Sequence, residues 1–210
     1  MGKMQVWAIV SQKGGAGKTT VALHLAVAAT LDHKRVIIIN LDPQQSAVKW
    51  GRIRDADSPR VISTIAPDLD KTLKEAEREG MNLAIIDTSP RADRDALNVC
   101  RRSDFIVIPC RPSMLDVSAV DETMKLIATA GKTNHAVMVL NEVPAHTSEG
   151  EEAADYLKQI GELLPVQLGD RAAFRQALTN GRGVTEFAPK SAAAKEAANL
   201  YKAIKERTRL

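Results

Sequence analysis

Residues 10–20 read V-S-Q-K-G-G-A-G-K-T-T and constrain this chain more than any other stretch. Residues 6–10 before them are a continuous apolar run, the mark of a buried strand. Residues 20–31 after them carry Ala, Leu and Val at helical spacing. A glycine-rich loop between a strand and a helix, closing on Lys-Thr, is the context in which a phosphate-binding loop is expected. Glycine lets backbone N–H groups converge on phosphate oxygens with no Cβ in the way. The helix N-terminus adds partial positive charge aimed at the same anion. The predicted cradle is therefore Gly14, Gly15, Ala16, Gly17, Lys18, Thr19 and Thr20. Lys18 neutralises the terminal phosphates and the Thr19 hydroxyl reaches a magnesium ion. The strict pattern G-x-x-x-x-G-K-[ST] fails at its first place, which holds Gln12, and a second lysine, Lys13, precedes the glycine pair.

Two further strands end in acids. Residues 35–41 form a β-branched run, too continuous for a half-exposed strand, and stop at Asp42-Pro43-Gln44. Residues 83–86 are apolar and stop at Asp87. Parallel strands buried on both faces read this way, and open α/β sheets bind ligands at the carboxyl ends of their strands. Asp87, about seventy residues past the loop, is thus a second magnesium ligand. Strand patterns recur at 61–65, 105–109, 136–140 and 163–168, the third ending at Asn141. Helical patterns cover 45–55, 67–80, 92–102, 112–130, 148–160 with Ser148 as N-cap, 171–178 and 190–207. Strands alternating with helices predict a mostly parallel sheet with helices on both faces. No linker or repeat interrupts the chain, so residues 1–210 are expected to form a single domain with a basic helical part from about 170 to 210.

Composition narrows the function classes. No apolar run approaches the eighteen or so residues of a membrane span, and the first strand starts too early for a secretion signal. Two cysteines, Cys100 and Cys110, make no disulfide framework, so a cytoplasmic location is expected. Aromatic residues are 3% of the chain, too few for a surface built on base stacking. The net charge of +3 is uneven: residues 171–210 hold nine Lys/Arg against three Asp/Glu. That quarter suits an anionic partner or is a solvated helix surface.

Residues 13–19, K-G-G-A-G-K-T, resemble the deviant phosphate loop of the ParA/MinD family of ATPases, and the resemblance spans nearly the whole chain. It implies ATP and magnesium as cofactors, and a homodimer bridged by ATP in which Lys13 reaches the facing subunit's nucleotide. It makes Lys13, Lys18 and Asp42 the catalytic set, with Asp42 placing the attacking water and joining Thr19 and Asp87 around magnesium. Relatives often carry another acid two residues before Asp42; Asn40 stands there. Asn141 is implied to hydrogen-bond adenine, the alternative being a polar strand end. In the 112–116 segment the family lines its dimer face. Within the C-terminal part, Arg171, Arg175 and Lys190 are implied to bind double-stranded DNA without sequence preference. The implied role is DNA partition with a ParB-type centromere-binding partner, at the nucleoid and not at a membrane. Three alternatives stay open: a MinD-like membrane ATPase, an iron–sulfur reductase like the nitrogenase iron protein, and a non-catalytic DNA-coating protein. The first requires bulky apolar residues on the last helix, where alanines prevail; the second requires cysteines at a dimer face.

Overall fold

The computed structural model describes residues 3–90 and 93–210. Its strands are β1 (Gln5–Ile9), β2 (Val36–Asn40), β3 (Arg60–Ser63), β4 (Leu83–Asp87), β5 (Phe105–Cys110), β6 (Ala136–Val143) and β7 (Leu163–Gly169). They form one sheet in the order β3-β2-β4-β1-β5-β6-β7, and every pair in it is parallel. The helices are α1 (Lys18–Leu31), α2 (Ser46–Ile53), α3 (Leu69–Arg78), α4 (Asp93–Arg102), α5 (Met114–Thr129), α6 (Glu149–Ile160), α7 (Ala172–Thr179), α8 (Val184–Phe187) and α9 (Ala192–Thr208). Ala92, expected to begin the fourth of these, lies outside the described residues.

Alternate residues of each central strand feed two separate cores. Trp7, Ile9, Ile38, Ile85 and Val107 pack under α1, α7, α8 and α9. Ala8, Ile37, Ile39, Ile86, Ile106 and Ile108 pack under α3 to α6. Helices thus cover both faces, as the unbroken apolar runs require. Each fully buried Ile contributes about 1.5–3 kcal/mol. Because both faces are apolar, the polar residues at the strand ends mark the register. Ile9 pairs with Asp87, and Asn40 pairs with the same Asp87 from the other side. Three strand ends are therefore level beneath the glycine-rich loop.

Several boundaries differ from expectation. Gln45 adopts a left-handed conformation (φ 55°), so α2 starts one residue later. Ser148 occupies the N-cap position of α6, but its hydroxyl donates to Glu152 Oε1 at 2.7 Å and caps no amide. A short 3-10 turn at Ala66–Asp68 precedes α3. Six apolar residues of α9, Ala193, Ala194, Ala197, Leu200, Tyr201 and Ile204, are buried against the body, and Ala192 and Ala198 are exposed.

The end of α2 is tied to a segment distant in sequence. Arg54 forms a two-pronged pair with Glu186 (2.7 and 2.9 Å) and donates to the Gly181 carbonyl at 3.0 Å. Its guanidinium lies 5.1 Å over the Trp50 ring, and its side chain is only 3% exposed. Trp50 Nε1 reaches the Arg182 carbonyl at 3.4 Å. Helix α2 is thereby fastened to residues 181–186.

Candidate nucleotide site

The glycine-rich loop sits at the carboxyl edge of β1 and runs straight into α1. Gly17 is the N-cap of α1 with φ 91°, and no side chain caps the helix. The first amides of α1 therefore point to open space, as an anion site requires. Gly17 also has a packing reason to be glycine: a Cβ there would lie 2.0 Å from Asn141 Nδ2. Asn141 is buried and donates to the Ala16 carbonyl at 3.0 Å, which holds the loop down. From the other side, the Thr123 hydroxyl accepts from Gln12 N at 3.2 Å.

Lys18 is buried, and its ammonium donates to the Lys13 carbonyl at 3.2 Å. Burial lowers its pKa, opposed by the charges of Asp87 and Asp42. The Thr19 hydroxyl donates to Asp87 Oδ2 at 2.8 Å. Asp87 is fully buried, and its Oδ1 has no hydrogen-bond partner among the described residues. Burial pushes its pKa up to about 7; the Thr19 hydrogen bond pulls it down, Asp42 pushes it up, and Lys18 lowers it. Asp42 begins the turn after β2, with Oδ1 accepting from Gln44 N at 2.9 Å. Gly15, Gly17, Lys18, Thr19 and Thr20 share with Asp42 one pocket of about 630 Å³, within the size range of small-ligand clefts. Gly14 is exposed and Ala16 buried beneath it. Lys13 is half-buried, its amide donating to Ser11 Oγ at 3.3 Å.

The donors present suit magnesium. An alcohol and a carboxylate with one oxygen free are hard oxygen ligands, and phosphates and water complete such a shell. Among the described residues no group of three or more His, Cys, Asp and Glu side chains is placed to hold a metal alone. Asn40 is buried and donates Nδ2 to the Asp42 carbonyl at 2.9 Å and to Ser63 Oγ at 3.3 Å. An ionised acid at position 40 could not donate to the Asp42 carbonyl. Asn40 therefore shapes the turn that carries Asp42.

The basic residues separate. Arg171 is paired with Glu196 (2.9 and 2.7 Å) and Arg175 with Asp170 (2.6 Å), which holds each guanidinium above its usual pKa. Both line a small hollow next to Thr20 and Asn141. Lys190 is exposed and lines a different groove between α1 and α9, together with Lys195, Lys202 and Lys205. The structure does not bring the three expected DNA contacts together. Cys100 and Cys110 are free and buried, each pushed by burial to a pKa of about 12.

Three residues at or near the site had no sequence signal of their own. Arg111, directly after β5, and Glu142, inside β6, form an ion pair at 2.6 Å on the pocket wall. Inspecting the residue next after each strand at the carboxyl edge would have found Arg111. His24 lies buried in the middle of α1, where only the folded structure supplies its partners.

Residues 7–184 match the family described as "CobQ/CobB/MinD/ParA nucleotide binding domain". The chain belongs to this family. Among its MinD/ParA relatives, it is 33% identical over 160 residues to maintenance of carboxysome distribution protein A of Gloeobacter kilaueensis, covering 75% of this chain and 72% of that protein. It is 27% identical over 183 residues to protein ParA of Rhizobium radiobacter, covering 81% of each. A solved structure of the septum site-determining protein MinD of Pyrococcus horikoshii, complexed with Mg-ADP, superposes with a TM-score of 0.74 at 17% identity, covering 97% of this chain and 96% of that one, a likeness of fold. Among the described residues no helix is long and apolar enough to cross a membrane.

Proposed function

We propose that this chain is a magnesium-dependent ATPase that pairs around ATP, binds DNA without sequence preference when paired, and drives partition of a DNA molecule with a ParB-type partner. The observation that carries the reading is the Thr19–Asp87 hydrogen bond beside buried Lys18, under a helix N-terminus with no cap. A bound magnesium ion would spread the charge of the terminal phosphates; Thr19 and the free oxygen of Asp87 would hold it, with Asp42 close by. Lys18 and the loop amides offset negative charge on the transferred phosphoryl group. Asp42 orients the attacking water. Lys13 lends a second cation to the neighbouring subunit's nucleotide, so hydrolysis depends on pairing.

Asn141 is the proposed adenine contact, its amide also tied to the Ala16 carbonyl. The DNA reading is supported by Lys190 in a groove with two more exposed lysines, Lys195 and Lys202. Arg171 and Arg175 would have to exchange their carboxylate partners for phosphates. Pairing doubles the phosphate contacts, and each adds to affinity and to salt sensitivity. The similarity to a carboxysome distribution protein favours a second reading, in which the same cycle serves the distribution of carboxysomes.

Retardation of random-sequence DNA with ATP, ADP or no nucleotide tests the reading. A shift with ATP alone is expected. Equal retardation in all three conditions would remove nucleotide control, and none in any would remove DNA as the partner.

A further inference from the structure

Arg111 is a cation on the wall of the phosphate pocket that neither the loop motif nor the acids at the strand ends account for. It comes directly after β5, the strand that pairs with β1 on the side away from β4. Its Nη1 lies 3.7 Å from where a Cβ on Gly15 would stand, so the guanidinium faces the glycine-rich loop. Its Nε is buried and has no hydrogen-bond partner among the described residues. Nη2 is held at 2.6 Å by Glu142 Oε2. Glu142 is itself unusual: it has φ +54°, a left-handed conformation uncommon for a residue other than glycine. Its carboxylate lines the same pocket, where an unneutralised negative charge would repel phosphate.

We propose that Arg111 is a further phosphate-binding residue of this site, and that Glu142 holds its guanidinium in place until a nucleotide displaces the carboxylate. This rests on the nucleotide reading of the pocket. The Arg111–Glu142 pair is roughly one-third to two-fifths exposed on each side, so it is a weak restraint. A guanidinium presents parallel N–H donors that match two phosphate oxygens, a stronger and more directional contact. The exchange also gives the unpartnered Nε–H an acceptor. Lys18 meets the anion from beneath the loop and Arg111 from its side, so the two cations are not redundant.

The test is titration of the 210-residue chain with a fluorescent ATP analogue and Mg²⁺, read by anisotropy. Arg111→Ala is expected to weaken binding about tenfold, equal to about 1.4 kcal/mol. Glu142→Gln removes the competing charge and is expected to tighten binding severalfold. The double variant should bind more tightly than Arg111→Ala and less tightly than Glu142→Gln, because the carboxylate that Arg111→Ala leaves unneutralised in the pocket is then removed as well. Wild-type affinity in Arg111→Ala, or weaker binding in Glu142→Gln, overturns the proposal. If Lys18→Ala abolishes binding in the same assay while Arg111→Ala does not weaken it, Arg111 alone is dismissed. An unaltered chain that binds no ATP overturns the nucleotide reading as well.

Discussion

His24 offers a quantitative test of how α1 is seated. Its Nδ1 accepts from Val184 N at 3.1 Å, and its ring meets Phe174 edge-on at 5.0 Å. Nε2 is buried with no hydrogen-bond partner among the described residues. Burial lowers the pKa from 6.5 to about 4, with the Phe174 backbone pulling weakly upward. The folded state therefore resists a proton that the unfolded chain accepts. For such a group the unfolded state binds more protons below pH 6.5, so stability falls as pH falls from 6.5 towards 4. At 1.36 kcal/mol per pKa unit, acidification from pH 7 to pH 5 should cost about 2 kcal/mol through this residue alone. The assay is urea unfolding at both pH values for the unaltered chain and for His24→Gln, whose carbonyl can still accept from Val184 N. Other titrating groups are common to the two proteins and cancel in the difference. The unaltered chain should lose about 2 kcal/mol more than the variant. Equal losses would refute the reasoning and mean that His24 takes up a proton without leaving its site.

Gly17→Ala adds a Cβ where Asn141 sits and forces a left-handed alanine; a loss of roughly 2–4 kcal/mol in thermal or urea unfolding is expected, with weakened nucleotide binding. Asp42→Ala should still bind ATP yet turn over at least tenfold more slowly, checked by phosphate release; an unchanged rate would remove Asp42 from the chemistry. Lys190→Ala should weaken retardation of every DNA sequence alike and flatten its salt dependence. Arg54→Ala strands the half-buried Glu186 and should destabilise the chain by about 1–3 kcal/mol in a denaturant melt.

Much of the fold was legible because a parallel strand covered on both faces leaves an unmistakable apolar run. Residues 6–10, 35–41 and 83–87 announced β1, β2 and β4, and the loop between β1 and α1 announced itself by its glycines. Asp87 was legible for the same reason, as the polar end of an apolar strand. The left-handed Gln45 was not, since nothing local distinguishes it from a first helical residue. Ser148 misled because its backbone is already helical (φ −78°, ψ −12°) where a capping residue is extended, so its hydroxyl turns to Glu152 and not to the following amides. Asn40, His24, Arg111 and Glu142 gain their meaning from contacts with segments distant in sequence. Arg171 and Arg175 looked like free cations because Asp170 and Glu196 count as ordinary surface acids until folding places them alongside.

The clamp between Arg54, Trp50 and residues 181–186 has a mechanical consequence. Only Pro43, Gln44 and Gln45 separate Asp42 from the helix that this clamp grips at its far end. If a rearrangement at Asp42 shifts α2 as a rigid rod, the approach to the lysine-bearing C-terminal helix has to shift too, or the guanidinium must let go. Sensing at one rim of the sheet and a response further along the same helical layer would then be two ends of a single lever.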